Sequence, residues 1–195
     1  MSEEFATLRR KFEALEEEFE AALARRRKAL RYALKERRPV FDAEAIAEHV
    51  KARKSVWASL ADTYGRNLIA APFIYALIIP IILLDGTASL YQAVGFRLWR
   101  VPQVVRRDYV AIDRHRLPYL NAIQKLNCVY CGYANGVLAY VSEIASRTEQ
   151  YWCPIKHALR VKRSHGRYYD FLDYGDGADL MARIGEMREK LREEE

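Results

Sequence analysis

The chain lacks the short motifs by which common enzyme classes are recognised. It has no phosphate-binding glycine loop, no H-E-x-x-H spacing and no arrangement of a nucleophile with a base and an orienting residue. These absences exclude the familiar nucleotide-binding, zinc-peptidase and triad-hydrolase patterns. The sequence therefore predicts no particular reaction from a motif alone.

Cysteine is scarce, with only three in 195 residues. The N-terminus also lacks the basic start and apolar core of a secretory signal, and we therefore expect the protein to stay on the cytosolic side. In that reducing compartment, thiols serve as metal ligands, redox groups or packed side chains more often than as a disulfide framework.

A third absence concerns charge, because residues 67–96 contain no Lys or Arg and a single carboxylate, Asp85. The densest part, residues 68–84, would extend about 25 Å as a helix, close to the lower limit for crossing a bilayer. Basic residues flank both sides, which predicts entry and return at the same membrane face. We predict a membrane-embedded or re-entrant apolar hairpin at 67–98, turning at Asp85-Gly86, on the cytoplasmic face of a lipid bilayer. The alternative is a central helix buried in a soluble protein.

Before this segment the pattern predicts a long helical hairpin at 1–66. The first helix, over residues 3–36, has an apolar seam in steps of three and four. The seam residues are Phe5, Leu8, Phe12, Leu15, Phe19 and Ala22. A coiled coil and a helix packed within one chain explain the seam equally well. Asp42 suits the N-cap of a second helix of similar length.

The run of basic residues at 25–38, with eight Lys or Arg and one Glu, lies near the expected connection of these two helices. Such a block is commonly a solvated helix face. The alternative is contact with anionic lipid headgroups, which the neighbouring apolar segment favours. Residues 99–118, with two prolines and several charges, have the composition of a connector.

All three cysteines fall within 26 residues, as Cys128-Val-Tyr-Cys131 and Cys153-Pro-Ile-Lys-His157. These residues supply four ligands, the number that a tetrahedral zinc or iron site needs. We predict a Cys3His metal centre with Cys128, Cys131, Cys153 and His157 as ligands, within a Cys-rich helical unit at 119–165. Structural zinc, iron, an iron–sulfur cluster, a metal-free dithiol and simple core cysteines all remain alternatives.

Closure of this site depends on how the chain folds at Asn135-Gly136. A helix running straight through would place Cys131 and Glu149 about 27 Å apart, too far to share a metal. Even with a hairpin there, the chain after Trp152 must turn back toward Cys128 and Cys131, or another subunit must contribute Cys153 and His157. Pro154 suits the first turn of a new helix, which would bring His157 onto the same face as Cys153.

Three residues between the cysteine pairs are candidates for catalysis: Glu143, Arg147 and Glu149. If the protein is a membrane-bound thiol- or iron-dependent oxidoreductase, the two carboxylates would transfer protons and Arg147 would hold an anionic substrate. The simpler interpretation is an i, i+4 ion pair between Glu143 and Arg147 on a helix surface. A further alternative is a helical scaffold or interaction protein without metal.

The last segment, residues 166–195, predicts a loop followed by an amphipathic helix that starts after Asp179. Its apolar stripe consists of Leu180, Ile184, Met187 and Leu191. We do not expect nucleic-acid binding, because several Asp follow the aromatic and basic residues at 160–174 and would repel phosphate. The sequence as a whole predicts a mainly α-helical, membrane-associated homo-oligomer.

Overall fold

The computed structural model describes residues 3–36, 38–61, 65–162 and 164–194. The described chain is mainly α-helical, as predicted. It divides into two compact units. The first unit comprises Met1–Tyr64 and Asp113–Val129, and the second comprises Gly65–Ile112 and Tyr130–Glu195.

The first unit starts with a helix that is shorter than predicted. Its elements before the apolar segment are α1 (Glu3–Ala29), β1 (Tyr32–Lys35), β2 (Arg38–Phe41), α2 (Ala43–Lys51) and α3 (Val56–Ala61). The expected helix to residue 36 is therefore wrong, because Arg31 adopts a left-handed conformation, with φ of 56°, that ends the helical path. The expected second long helix is also wrong, since two short helices occupy its place.

A two-stranded antiparallel hairpin replaces the end of the predicted first helix. Tyr32 pairs with Phe41 and Lys35 with Arg38, and the Tyr32 and Phe41 rings lie 5.2 Å apart. Pro39 fits in β2 because an edge strand does not need every N–H. Strands of only four residues are too short to show a sustained alternating apolar pattern, which is why the sequence did not predict them.

The later part of the first unit packs on the short helices. Arg53 donates from Nε to the carbonyl oxygen of Pro118 at 2.8 Å, and the buried Asn121 amide donates to Ser59 Oγ at 2.6 Å. The rings of His49 and Tyr119 meet edge to face at 5.1 Å. A 3-10 helix, Arg114–Arg116, precedes these contacts.

The second unit contains the apolar segment and the C-terminal part of the chain. Its helices are α4 (Gly65–Ala76), α5 (Ile78–Trp99), α6 (Arg106–Tyr109), the later turns of α7 (Ala122–Trp152), and α8 (Leu180–Arg192). A 3-10 helix spans Gly166–Asp170. The predicted C-terminal helix after Asp179 is confirmed, and its Leu191 is fully buried in the core of this unit.

The apolar segment is one nearly continuous helical stretch rather than a hairpin. Pro80 has no N–H to donate to the fourth preceding carbonyl, and the path is accordingly interrupted at Leu77 between α4 and α5. The predicted turn at Asp85-Gly86 is wrong, because both residues lie inside α5. The 35-residue stretch Gly65–Trp99 is long and apolar enough to cross a membrane, and none of its most apolar window is buried.

The core of the second unit forms where one face of α5 meets α7, α8 and the connector. Its fully or nearly fully buried members are Phe96, Val101, Val104, Tyr140, Ile144 and Leu191. Trp99 stacks on Tyr151 at a centroid distance of 5.3 Å and extends this core. Arg188 lies over the Tyr151 ring at 4.8 Å, so α8 is held to the same aromatic pair.

Gly136 allows the connector backbone to lie directly against α7. A Cβ at this position would lie 2.8 Å from Val110 Cα and 2.9 Å from the carbonyl oxygen of Tyr109. Both neighbours are backbone atoms, which cannot rotate away as a side chain can. Gly136, where a chain reversal was one possibility, is therefore a packing residue inside a helix.

Replacing Gly136 with Ala should destabilise the second unit by about 1–3 kcal/mol through this overlap. The matched control is Gly185→Ala in α8, where a new Cβ would meet no described atom within 4 Å. That control should stabilise its helix by up to about 1 kcal/mol. Thermal unfolding followed by circular dichroism in detergent measures both. Equal stability of the two variants would contradict the close approach at Gly136.

Candidate functional site

Helix α7 carries most of the residues singled out by the sequence, and it is unbroken from Ala122 to Trp152. The chain reversal considered at Asn135-Gly136 does not occur. The side chain of Asn135 instead donates from Nδ2 to the carbonyl oxygen of Cys131 at 2.9 Å, one turn back along the helix. The Asn135-Gly136 pair therefore continues the helix. The Asn135 amide bonds to the preceding turn, and Gly136 leaves room for the neighbouring backbone.

The straight helix separates the cysteines. Cys131 lies on α7 and Cys153 directly follows its end, which puts them about 33 Å apart at the rise of an α-helix. Cys128, three residues before Cys131, belongs to the first unit. All three are free thiols; Cys128 is half-buried, and the other two are exposed.

The predicted helix beginning at Pro154 is also wrong, because the chain there is extended. Ile155 forms a parallel β-bridge with Leu172, fixed by hydrogen bonds from Leu172 N to Pro154 O at 2.8 Å and from Lys156 N to Leu172 O at 2.7 Å. His157 follows this bridge, and its ring stacks on Tyr168 at 6.1 Å. Cys153 and His157 therefore do not share a helix face.

Within the part of the chain that the structure describes, no three His, Cys, Asp or Glu side chains are grouped closely enough to hold a metal ion. The structure therefore shows no closed Cys3His site within the described part of one chain. The version that needs ligands from a second subunit stays a prediction, with zinc or iron as the metal.

The candidates Glu143 and Arg147 belong to a polar cluster on α7. Arg147 donates from Nε to Glu143 Oε1 at 2.9 Å and from a terminal nitrogen to the carbonyl oxygen of Pro102 at 2.7 Å. Arg167 donates to the same Glu143 oxygen at 3.0 Å and makes a two-pronged pair with Glu194. Two carboxylates thus balance two guanidinium groups, and the cluster joins the connector and the C-terminal end to α7.

Burial and charge act in opposite directions on Glu143. Desolvation alone would raise the pKa of its carboxyl, but the hydrogen bond from Arg147 and the charge of Arg167 outweigh this cost and hold the pKa below its ordinary value. The pKa of Arg167 is raised, because its partners Glu194 and Glu143 outweigh the larger single effect of burial. Both groups are therefore held in their charged forms.

The third candidate, Glu149, has a different partner. Its Oε2 lies 2.8 Å from Nε2 of His165, and the His165 ring packs near Phe171 at 5.4 Å. Glu149 also lines an open groove of about 660 Å³ between α5 and α7. The other lining residues are largely apolar and include Leu84, Ala88, Val141, Ile144 and Trp152. The structure thus places Glu149 beside an apolar surface, apart from the Glu143 cluster.

Two polar groups of the apolar helix α5 have partners that the sequence did not predict. Asp85 accepts from Arg106 Nε at 3.0 Å and from the Tyr133 hydroxyl at 2.9 Å. Gln92 is buried; its Oε1 accepts from the backbone N–H of Val104 at 3.0 Å, and its Nε2 donates to the carbonyl oxygen of Val104 at 3.3 Å. Their isolation in an apolar helix was the available signal, because a buried polar group needs a partner.

These features define a mainly α-helical protein. Its apolar stretch Gly65–Trp99 is largely exposed, and its charged side chains pair with one another in polar clusters. Comparison with known proteins finds no matching family model and no significant match among curated proteins or solved structures. The exposed surfaces and polar clusters of this chain are therefore the basis for its proposed function.

The Glu143 cluster should make stability depend on acid. An unfolded Glu titrates near pH 4.3, and a lower pKa in the folded chain means that the folded state binds fewer protons. The contribution is complete well above that pH and is lost as the pH falls through the folded pKa. Glu143→Gln should cost about 1–3 kcal/mol at neutral pH and flatten the acid limb of the stability profile.

The control for this profile is Glu186→Gln, because Glu186 is an exposed residue of α8. It should leave the acid limb unchanged when denaturant unfolding is measured at several pH values in detergent. An acid limb that persists in Glu143→Gln would assign the pH dependence to other carboxylates.

The exposed cysteines should tolerate substitution. Since Cys131 and Cys153 are exposed and far apart, Cys131→Ser and Cys153→Ser should change the free energy of unfolding by no more than about 0.5 kcal/mol. Metal analysis of each purified variant is the accompanying measurement. Stoichiometric metal in the unsubstituted protein that either substitution releases would establish a site shared between chains.

Proposed function

We propose that this protein is a membrane-anchored helical interaction protein. In this proposal the apolar stretch Gly65–Trp99 contacts the lipid bilayer, and the amphipathic helix α1 presents an apolar seam to another protein helix. The exposure of the apolar stretch is the observation that carries the proposal.

The apolar stretch is uncovered where a soluble protein would bury it. On α4, Leu68, Ile69 and Phe73 are each more than two-thirds exposed. Monomeric soluble proteins rarely expose such large contiguous apolar patches, because the transfer of this surface into water is unfavourable. A lipid environment removes that cost, since hydrocarbon chains solvate Leu, Ile and Phe side chains.

Helix α5 has two faces of different character, which supports an anchored rather than a freely inserted helix. One face carries Gln92 and Phe96 into the protein core. The opposite face exposes Ile79, Leu83, Leu90, Val94 and Leu98. The same helix can therefore hold the folded unit and offer an apolar surface to lipid along its length.

The paired polar groups fit this environment. Asp85, the single carboxylate of the stretch, is bound by Arg106. The amide oxygen and the amide nitrogen of Gln92 both form hydrogen bonds. Polar groups near hydrocarbon need such internal partners, because lipid offers none. Neither residue therefore opposes insertion of the neighbouring apolar face.

The interaction part of the proposal rests on α1. Its seam residues Leu8, Phe12, Leu15 and Phe19 are 54–64% exposed, although they lie on one face of a 27-residue helix. Charged residues flank this seam on both sides, which is typical of a surface that pairs with another helix.

The membrane part is tested by flotation of the full chain with phosphatidylcholine vesicles, with and without phosphatidylserine. Leu83→Asp should lower the membrane partition coefficient about 100-fold, because a carboxylate in hydrocarbon costs about 3 kcal/mol. The matched control is Met181→Asp, since Met181 is an exposed apolar residue of α8, outside the apolar stretch.

The control should float as the unsubstituted protein does. A protein that remains soluble without detergent and does not float with either vesicle would refute the membrane anchor. Flotation that survives Leu83→Asp unchanged would show that the attachment lies elsewhere in the chain.

A further inference from the structure

We infer that the helix partner of α1 is α1 of a second copy of this chain, and that the two helices pair antiparallel. This inference rests on the proposed function, because it names the partner of the exposed seam. Three features of α1 favour this pairing: the spacing of the seam, the charges beside it and the basic end of the helix.

The seam is complementary to itself when one helix is reversed. In heptad terms Phe12 and Phe19 occupy a positions, and Leu8 and Leu15 occupy d positions. An antiparallel pair sets a residues against d residues, so that Phe12 lies opposite Leu15 of the second copy and Leu8 lies opposite its Phe19. Each layer then combines one aromatic and one aliphatic side chain. One two-fold axis relates the four layers in pairs.

The charges beside the seam match the same register. Lys11 and Glu18 occupy successive g positions of α1. In an antiparallel pair g residues face g residues, which brings Lys11 of one copy to Glu18 of the other, twice by symmetry. Opposite charges at these positions set partner and orientation more than they add stability.

The basic end of α1 disfavours the parallel alternative. Arg25, Arg26, Arg27 and Lys28 close the helix, and Arg26 falls at the next a position of the seam. A parallel pair would place Arg26 against Arg26 on the seam and bring both basic ends together. An antiparallel pair places these ends at opposite ends of the dimer, beyond the start of the partner helix.

A lipid surface is a poorer occupant of this seam than a second helix. Between residues 13 and 20, five carboxylates flank the apolar residues. Helices that bind anionic membrane surfaces instead carry Lys and Arg on their polar face. The acidic middle of α1 would be repelled by anionic headgroups but pairs with the basic residues of a reversed copy.

The first experiment measures the mass of the full chain in lipid nanodiscs or detergent, across a range of protein concentrations. The unsubstituted protein should form a dimer, and the double variant Phe12→Ser, Phe19→Ser should be monomeric. The matched control is Arg10→Ser, Glu17→Ser, because both residues lie at f positions on the opposite face of α1. The control should remain dimeric.

Charge exchange tests the orientation. Lys11→Glu should raise the dimer dissociation constant about 10-fold at low salt, because two attractive pairs become repulsive. Adding Glu18→Lys in the same chain should restore the dimer. In a parallel pair Lys11 would face Glu16 instead, and Glu18→Lys would not restore it.

Cross-linking gives an independent measure of the register. In chains whose native cysteines are replaced by Ser, a Lys11→Cys copy mixed with a Glu18→Cys copy should form a disulfide readily. Mixing Lys11→Cys with Glu16→Cys should not. The reverse preference would overturn the antiparallel arrangement.

A monomeric unsubstituted protein, or a seam variant of unchanged mass, would overturn the inference entirely. Flotation of the same variants separates this failure from failure of the proposed function. Seam variants should still float with vesicles, because α1 and the apolar stretch are different surfaces. A chain that floats but never dimerises would keep its anchor and need a different partner for α1.

Discussion

The arrangement of the second unit depends on the continuity of α7. A helix without a break fixes the axial position of each residue at 1.5 Å per step, so each side chain meets only what other segments bring to its level. Arg167 and Glu194 reach the level of Glu143, and His165 reaches Glu149. The helix thus carries separate polar clusters rather than one convergent site. The same rigidity keeps Cys131 away from Cys153, whatever the chemical suitability of their thiols.

The connector is held to α5 by hydrogen bonds with two polar residues of the helix, Gln92 and Asp85, which the apolar residues around them cannot form. The side-chain amide of Gln92 accepts from the backbone N–H of Val104 and donates to its carbonyl oxygen, as a neighbouring β-strand would. This fixes the connector against the helix at one level, while Arg106 binds Asp85 at another. Because the buried Gln92 amide and the buried Val104 backbone would otherwise lack partners at a high cost, their contacts specify how the connector lies rather than simply adding stability. Gly136 then admits the connector backbone to α7 between them.

Periodicity made the helices predictable where one apolar face is long and regular. The stripe from Leu180 to Leu191 predicted α8, and the spacing from Leu8 to Phe19 predicted most of α1. The end of α1 was not predictable, because the hairpin that follows depends on the backbone conformation of Arg31 and on short strands without alternation. Local sequence patterns predict poorly where contacts with the rest of the fold decide whether a segment becomes a helix or a strand.

The wrong turn at Asp85-Gly86 and the chain reversal considered at Asn135-Gly136 both came from the composition of the residue pair. Asp85-Gly86 and Asn135-Gly136 both have turn composition, yet both lie in helices. Asp85 is satisfied by Arg106 and Tyr133, and Gly136 is needed for its lack of a Cβ. Of the candidate site, the sequence identified Glu143 and Arg147 as a helical pair, since their spacing is local. It gave no sign of Arg167 or Glu194, because these partners arrive from 24 residues away or more.

The two exposed apolar surfaces differ in the charge beside them, and this difference is the reason for proposing lipid as the contact of one and protein as the contact of the other. The outer face of α5 has no flanking charge between Ile79 and Val94, whereas the seam of α1 is bordered by both signs. About three heptads make a marginal coiled coil in dilute solution. Anchoring changes this balance, because chains confined to one membrane surface meet at a higher effective concentration. Under the proposed function, a short seam on α1 is therefore sufficient for pairing once the apolar stretch Gly65–Trp99 holds the chains at one membrane surface.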